Sequence, residues 1–306
     1  MINKFLLRNK LKISSYVSLL GILMVLFQIT LGGIVRVTES GLGCPDWPLC
    51  DGQIVPELDF HTAIEWGHRV SGASIGILII IINVITVKFF GRKSAQSSIS
   101  LSLLLLVVLE GVLGGITVLT ELAWWVRLIH LGVSFVILFL FAYLFSSIRN
   151  RKVNKKSFIS NLKIFQEYIL NTTMIGLLIL MLYGSAIVGL GVNTSCMSWP
   201  DCMGQWIRFN ESSYFLHMLH RYLALVFGLM ILYISHVVGR FAMRGSFVKI
   251  IARSLGLIFI LHILFSIGLV HAGFDGWLRV VHLSLAGIIW LFVSWLFIEY
   301  RIFKST

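Results

Sequence analysis

Long apolar runs alternate along the chain with short polar breaks, and eight of the runs are long enough to cross a bilayer. They fall at 14–36, 63–87, 99–119, 125–147, 168–190, 215–239, 250–270 and 277–298. Each is near the roughly 20 residues that a hydrocarbon core requires. The pattern predicts eight membrane-spanning helices. One departure from it stands out. Glu65-Trp66-Gly67-His68-Arg69 places ionisable groups at the start of the second run, which is almost wholly apolar from Val70 to Val87. Charge-bearing groups at such a place are costly and by default mark a functional site.

Composition agrees with the pattern. Of 306 residues, 58% are hydrophobic and 12% charged, with a mean hydropathy of +0.92, so the class is a polytopic all-α membrane protein. The net charge of +12 does not point to nucleic acid, because the cations are sorted by side. Nineteen of the 25 Lys and Arg, including every lysine, fall in the N-terminus, alternate loops and the C-terminus. The positive-inside rule makes that side cytoplasmic. The other six are arginines: Arg36, Arg69, Arg127, Arg208, Arg221 and Arg279. A cell-membrane location is expected, with both termini cytoplasmic. The first run has a basic lead but no clear cleavage site after it, so it reads as a retained helix.

The four cysteines lie in two loops on the expected exported face, Cys44 with Cys50 and Cys196 with Cys202. An oxidising compartment favours a small disulfide within each loop. Zinc ligation and free structural thiols are the alternatives, and zinc usually takes closer cysteines with further ligands nearby. These loops belong to a larger repeat. An ungapped shift of 152 aligns Cys44 with Cys196, Trp47 with Trp199, Pro48 with Pro200, Cys50 with Cys202, Gly52 with Gly204 and Gln53 with Gln205. It continues through His68 and His220, Arg69 and Arg221, Trp125 and Trp277, Arg127 and Arg279, and His130 and His282. The basic segment 148–167 divides the copies, predicting an N-terminal four-helix bundle over 1–147, a cytoplasmic linker, and a C-terminal bundle over 168–306. An even number of helices in each copy makes the repeats parallel, so the expected fold is two pseudo-symmetric parallel four-helix bundles.

In each copy two histidines are separated by 62 residues, each about six residues into a span running in the same direction. Such a pair can face each other across a bundle core and ligate one haem iron axially. Arg127 stands three residues before His130, hence on the same helix face. With Arg69, Arg221 and Arg279 it forms a set of candidate partners for haem propionates. A lone helix-end histidine reads as an interfacial hydrogen-bonding group, and a lone outer arginine as a snorkelling anchor. Recurrence of both at identical spacing favours haem ligation by His68, His130, His220 and His282. His61, His236 and His271 are expected to be solvated, and His262 to be bonded to a neighbouring helix. The glycines at 111, 114 and 115 are expected to permit close helix packing, and Trp66, Trp124, Trp125 and Trp277 to form an aromatic belt.

The copies differ at two ionisable positions. Glu65, one turn before His68, has His217 as counterpart, and Glu110 has His262. A carboxylate beside one haem only suggests that the first half does chemistry and the second holds a permanent redox haem. For Glu65 the plainer reading is an ion pair with Arg69 or another arginine. For Glu110 it is a buried hydrogen-bonding group.

Gly-Gly-Ile-Val-Arg-Val-Thr-Glu-Ser-Gly-Leu-Gly-Cys at 32–44, Trp47-Pro48-Leu49-Cys50, Glu65-Trp66-Gly67-His68-Arg69, His130, His220-Arg221 and His282 together resemble the haem A synthase family, in its cysteine-containing bacterial branch. The resemblance spans both halves. It implies oxidation of the C8 methyl of haem O to the formyl group of haem A, for terminal oxidase biogenesis. It assigns His68 and His130 to the substrate haem O, His220 and His282 to haem b, and a part in haem transfer or redox to Cys44 and Cys50. It also implies haem O synthase as donor and a membrane electron acceptor such as a quinone. Small and aromatic residues on lipid-facing surfaces suit a homo-oligomer. In one departure, the family's outer Arg-x-Thr stands only in the first half, at Arg36, with Asn193 replacing it in the second.

Glu65 is the candidate catalytic residue: a carboxylate in a low-dielectric site can stabilise positive charge developing at the macrocycle edge, or position an attacking water. Two other classes compete. A di-haem cytochrome b exchanging electrons with quinone would leave both haems unmodified and Glu65 without a purpose. A transporter would show broken helices and midplane charges.

Overall fold

The computed structural model describes residues 2–149, 164–206, 211–243 and 245–304, and the side chains of these within 9–149 and 166–302. The basic segment at 150–163, Arg208 and Arg244 lie outside the described residues, as does most of the expected linker. Among the described residues are eight α-helices: α1 (Ile2–Val37), α2 (Phe60–Phe90), α3 (Ala95–Leu119), α4 (Trp124–Arg149), α5 (Ile164–Gly189), α6 (Ser212–Phe241), α7 (Phe247–His271) and α8 (Gly276–Lys304). Each expected span coincides with one of them, the fifth running one residue past the end of α5, and all eight are long and apolar enough to cross a membrane. The protein is a multi-pass membrane protein. Three helices, α2, α3 and α7, begin ahead of their apolar runs at starts capped by polar side chains. Asp59 accepts from the Thr62 amide at 2.9 Å, Ser94 from Ser97 at 3.2 Å and Ser246 from Lys249 at 3.3 Å. Such caps satisfy amides that a helix start leaves open.

The chain forms two compact units. One holds α1 to α3 and α4 from Val133 onward; the other holds the opening of α4, Ala123–Gly132, with α5 to α8. The division made from the sequence at 148–167 differs from this grouping in the segment 123–132. That segment lies against α5 through glycine: a Cβ at Gly189 would stand 3.0 Å from Trp124 Cβ, and one at Gly132 would stand 3.5 Å from Leu182 Cδ2. In the first unit α2 packs between α1 and α3, and in the second α5 to α8 close into a ring of neighbours. Close approach in both relies on glycine opposite an aromatic ring: Gly21 faces Phe141, Gly176 faces Phe227 and Gly228 faces Phe259, each with no room for a Cβ. In a bilayer, where lipid is as apolar as the side chains, such dense contact is a principal source of helix association.

The expectation for the glycines at 111, 114 and 115 is met only in part. Gly111 and Gly114 face open space, and Gly115 receives the ring of Trp47 from the first cysteine loop, 3.0 Å from where its Cβ would be.

Candidate functional site

Both cysteine pairs are disulfides, Cys44–Cys50 and Cys196–Cys202, and no described cysteine is free. Their sulfurs are buried. Each loop closes in a two-residue hairpin, with reciprocal backbone bonds between Cys50 and Gln53, and between Cys202 and Gln205. The two turn residues have positive φ in both, Asp51 and Gly52 in the first, Met203 and Gly204 in the second. That is the backbone a right-twisted two-residue hairpin demands, and it is where glycine is at ease. Different side chains hold the two turns. In the first loop Asp46 accepts from the amides of Asp51 at 2.7 Å and Gly52 at 2.9 Å, and these bonds, the Gly52 amide foremost, hold its carboxyl below the ordinary 3.8. In the second, Ser198 accepts from Met203 at 2.5 Å and Asp201 from Gly204 at 3.3 Å.

Arg69 and Arg221, expected to face propionates, are taken up by these loops. Arg69 donates from Nη1 to the carbonyls of Asp46 and Leu49, both at 2.6 Å, and from Nη2 to that of Cys44 at 2.9 Å. Arg221 donates to the carbonyls of Ser198 at 2.7 Å, Asp201 at 2.8 Å and Cys196 at 3.0 Å. A guanidinium has five N–H donors in a fixed fork, and most of them go to backbone oxygens that the tight loop leaves without strand partners. The physical role of this repeated arginine is to seat the disulfide loop on its helix. Carbonyl recognition has no sequence signature, which is why the propionate assignment missed it. The other repeated pair fits the expectation better: the Nε of Arg127 and of Arg279 are buried with no hydrogen-bond partner in the structure, as suits a guanidinium awaiting an anion.

In the second unit three imidazoles converge. His220 on α6 is within electrostatic range of His282 on α8, and His262 on α7 is within range of both. His282 Nδ1 lies 3.0 Å from His262 Nε2 and 3.0 Å from Ser266 Oγ. His262 is thus bonded to a neighbouring helix, as expected, and its partner is a candidate iron ligand. His220 Nδ1 is buried without a partner, its ring lies 6.2 Å from that of Tyr183, and Gly184 approaches it so closely that a Cβ would sit 2.9 Å from Cε1. Two imidazoles on facing helices, one anchored through Nδ1, with an arginine on the ligand-bearing helix whose Nε is buried without a partner, fit a bis-histidine haem. Among the described residues no group of three or more His, Cys, Asp or Glu is arranged for a bare metal ion.

In the first unit His68 stands beside α1. A Cβ at Gly32 would lie 3.3 Å from its Cε1, and the Gln28 amide nitrogen lies 3.1 Å from its Nδ1 and donates to its backbone carbonyl at 3.1 Å. Gln28 Oε1 is buried without a partner. Sequence reasoning missed Gln28. The shift of 152 could have exposed it, since its counterpart is Leu180 while the glycine one turn on recurs as Gly184. Glu65 is 6% exposed and its Oε1 accepts from Arg69 Nε at 2.9 Å, so the ion-pair reading holds. Glu110 accepts from Ser134 Oγ at 2.6 Å. His217, the counterpart of Glu65, is buried against Phe274 with rings 5.5 Å apart. His130 and Arg127 sit in the opening turns of α4, within the second unit. His61, His236 and His271 are exposed, as expected.

Residues 15–294 match the cytochrome oxidase assembly protein family. Curated relatives named haem A synthase include one from Exiguobacterium, 28% identical over 83% of this chain and 81% of its own length. Another from Shouchella clausii is 25% identical over 82% and 83%. A third from Symbiobacterium thermophilum is 30% identical over 62% and 64%. With nearly its whole length matched, the chain belongs to the cytochrome oxidase assembly protein family.

Proposed function

We propose that this protein is a haem A synthase, a membrane oxidoreductase that converts the C8 methyl of haem O to a formyl group. Its relatives' names and the paired histidines support the reading. The observation that carries the division of labour is the unequal occupation of one repeated position. Glu65, a buried carboxylate one turn from His68 on α2, stands where the second unit has His217. His68 and His130 would hold haem O, and His220 and His282 a resident haem b. Arg127 and Arg279 would pair with propionates.

Taking the formyl oxygen from water, the conversion adds one water to the methyl carbon and releases four protons and four electrons. The porphyrin supplies the redox chemistry when bound; the chain supplies orientation and field. Glu65, fixed by Arg69, keeps a negative charge on the α2 face that carries His68, where it stabilises positive charge developing on the substrate or orients the water. Arg69 in turn ties that carboxylate to the Cys44–Cys50 loop. Haem b, held by His220 and His282, would supply electron transfer to a membrane acceptor such as a quinone, and haem O synthase would supply the substrate. The sorting of Lys and Arg supports a cell-membrane location, cytoplasmic termini and exported cysteine loops. The limits 1–147, 148–167 and 168–306 remain the working domain assignment.

The test is haem extraction and chromatography after expression with a haem O supply, for wild type and Glu65→Gln. Haem A in the wild type, with haem O or a hydroxylated intermediate in the variant, supports both the activity and the role of Glu65. Haem B alone in the wild type, despite available haem O, overturns the reading in favour of a di-haem electron-transfer cytochrome.

A further inference from the structure

The hydroxyl of Ser266 has a single proton, and its geometry decides where that proton goes. Ser266 Oγ lies 2.6 Å from the carbonyl oxygen of His262, one turn earlier on α7. A carbonyl can only accept, so the hydroxyl donates there. Toward His282 Nδ1, 3.0 Å away, the same oxygen can then only accept. His282 must therefore carry its proton on Nδ1, which leaves the Nε2 lone pair bare. His262 Nε2, also 3.0 Å from Nδ1, meets the same N–H and serves as a second acceptor, with the His262 proton on its own Nδ1. The two rings are 4.4 Å apart at 55°, so His262 also limits how far the His282 ring can swing.

We propose that Ser266, seconded by His262, is a positioning residue that locks His282 in the Nδ1–H tautomer and presents Nε2 to the iron of the resident haem. The proposal rests on the haem reading of His282 and deepens it. An imidazole whose N–H is held by an acceptor is oriented and made more basic toward a metal. That added donation favours the ferric state. The device belongs to one ligand only: His220, the other candidate ligand of this unit, has a buried Nδ1 with no partner. It also belongs to one copy of the repeat, because at the shift of 152 Ser266 and His262 correspond to Gly114 and Glu110. A glycine cannot supply the acceptor, and Glu110 is engaged by Ser134. The second site thus holds its ligand by a built-in acceptor on the neighbouring helix, as a site for a permanent group would.

The experiment uses the full-length protein in detergent. Wild type, Ser266→Ala, Ser266→Thr and Ser74→Ala are compared by low-temperature spectra of the ferric haem, by redox titration of the resident haem, and by the rate of haem transfer to an apo-globin scavenger. Ser74 is a control, since its hydroxyl bonds only its own helix, at the Val70 carbonyl. Ser266→Ala is expected to keep a low-spin bis-imidazole haem but to shift its midpoint potential upward and to release it about tenfold faster, in the usual range for a lost partner of a metal-bound histidine. Ser266→Thr keeps the hydroxyl and should behave as wild type, as should Ser74→Ala. If wild type shows a bis-imidazole haem and Ser266→Ala changes neither potential nor release rate, the proposal is overturned while the haem reading survives. If wild type holds no such haem, the haem reading itself fails.

Discussion

The two cysteine loops and the two sets of histidines have diverged to very different degrees. At the loops the repeat holds down to individual bonds. Arg69 and Arg221 reach equivalent cysteine carbonyls, and both hairpins turn through positive φ at equivalent residues. Around the histidines the close glycine is kept, Gly32 against His68 and Gly184 against His220, and so is an arginine with a buried Nε, Arg127 and Arg279. Other polar neighbours have changed. Glu65, Glu110 and Gln28 in one copy become His217, His262 and Leu180 in the other. A duplicated scaffold constrains what seats the loops and leaves free what sets the chemistry. The residues that differ between equivalent positions are therefore the better guide to function.

The sharpest way to break this comparison is at the seating arginines. Arg221→Ala removes a donor from three loop carbonyls, each of which costs about 1–3 kcal/mol if it stays buried and unsatisfied; water reaching the loop lowers that cost. Arg69→Ala does the same and also strips the partner from a buried carboxylate, a change worth about 3–5 kcal/mol on its own. Arg69→Ala should therefore lose markedly more thermal stability in detergent than Arg221→Ala, and only Arg69→Ala should regain part of the loss when Glu65→Gln is added. Equal losses, with no rescue, would show that the ion pair contributes nothing beyond the loop contacts. Lysine at either position should restore little, because a single ammonium cannot span several carbonyls in the geometry of a planar fork.

These arginines also mark the limit of what was legible beforehand. Apolar run lengths gave away all eight helices, because a bilayer leaves so few alternatives. The disulfide pairing followed from compartment and spacing, and the shared offset brought out the four histidines. Arg69, next to His68 in the chain, was assigned to an anion, since nothing in a sequence records that a loop folds back and offers its carbonyls. Ser266 was passed over because a serine in an apolar run reads as bonding to its own helix. Only the position of α7 beside α8 shows the same oxygen also meeting His282. The signal was nonetheless present: the repeat puts glycine at the equivalent position.

The glycines beside the histidines offer a smaller effect. A methyl added at Gly184 would stand 2.9 Å from His220 Cε1, whereas one at Gly32 would stand 3.3 Å from His68 Cε1. The first requires the imidazole to move; the second requires a few tenths of an ångström. Gly184→Ala is expected to cost about 1–3 kcal/mol of overpacking and to weaken retention of the resident haem measurably, with Gly32→Ala milder in both. Gly111→Ala is the reference, because that site faces open space and the substitution should be neutral or stabilise the helix by up to about 1 kcal/mol. Identical behaviour of all three in thermal melts and haem content would remove any steric role for the paired glycines.

The smallest effect separates the two loops by acid. Asp46 holds the first hairpin through the amides of Asp51 and Gly52, and these bonds depress its carboxyl below the ordinary 3.8. A group whose folded value is depressed stabilises the fold above its unfolded value, and that contribution is lost as pH falls through the folded one. The equivalent position in the second loop is Ser198, which bonds the Met203 amide and does not titrate in this range. Amide exchange followed from pH 6 downward, corrected for intrinsic rates, should therefore show protection at Asp51 and Gly52 falling away below about pH 4, while protection at Met203 does not follow the same curve. Asp46→Asn keeps an acceptor for one of the two amides and should flatten the acid dependence in the first loop, at the cost of weaker protection at neutral pH. If the Asp51 and Gly52 amides lose protection at the same pH with Asp46→Asn as without it, the carboxylate is not what holds the turn. The shared hairpin backbone would then suffice in both loops.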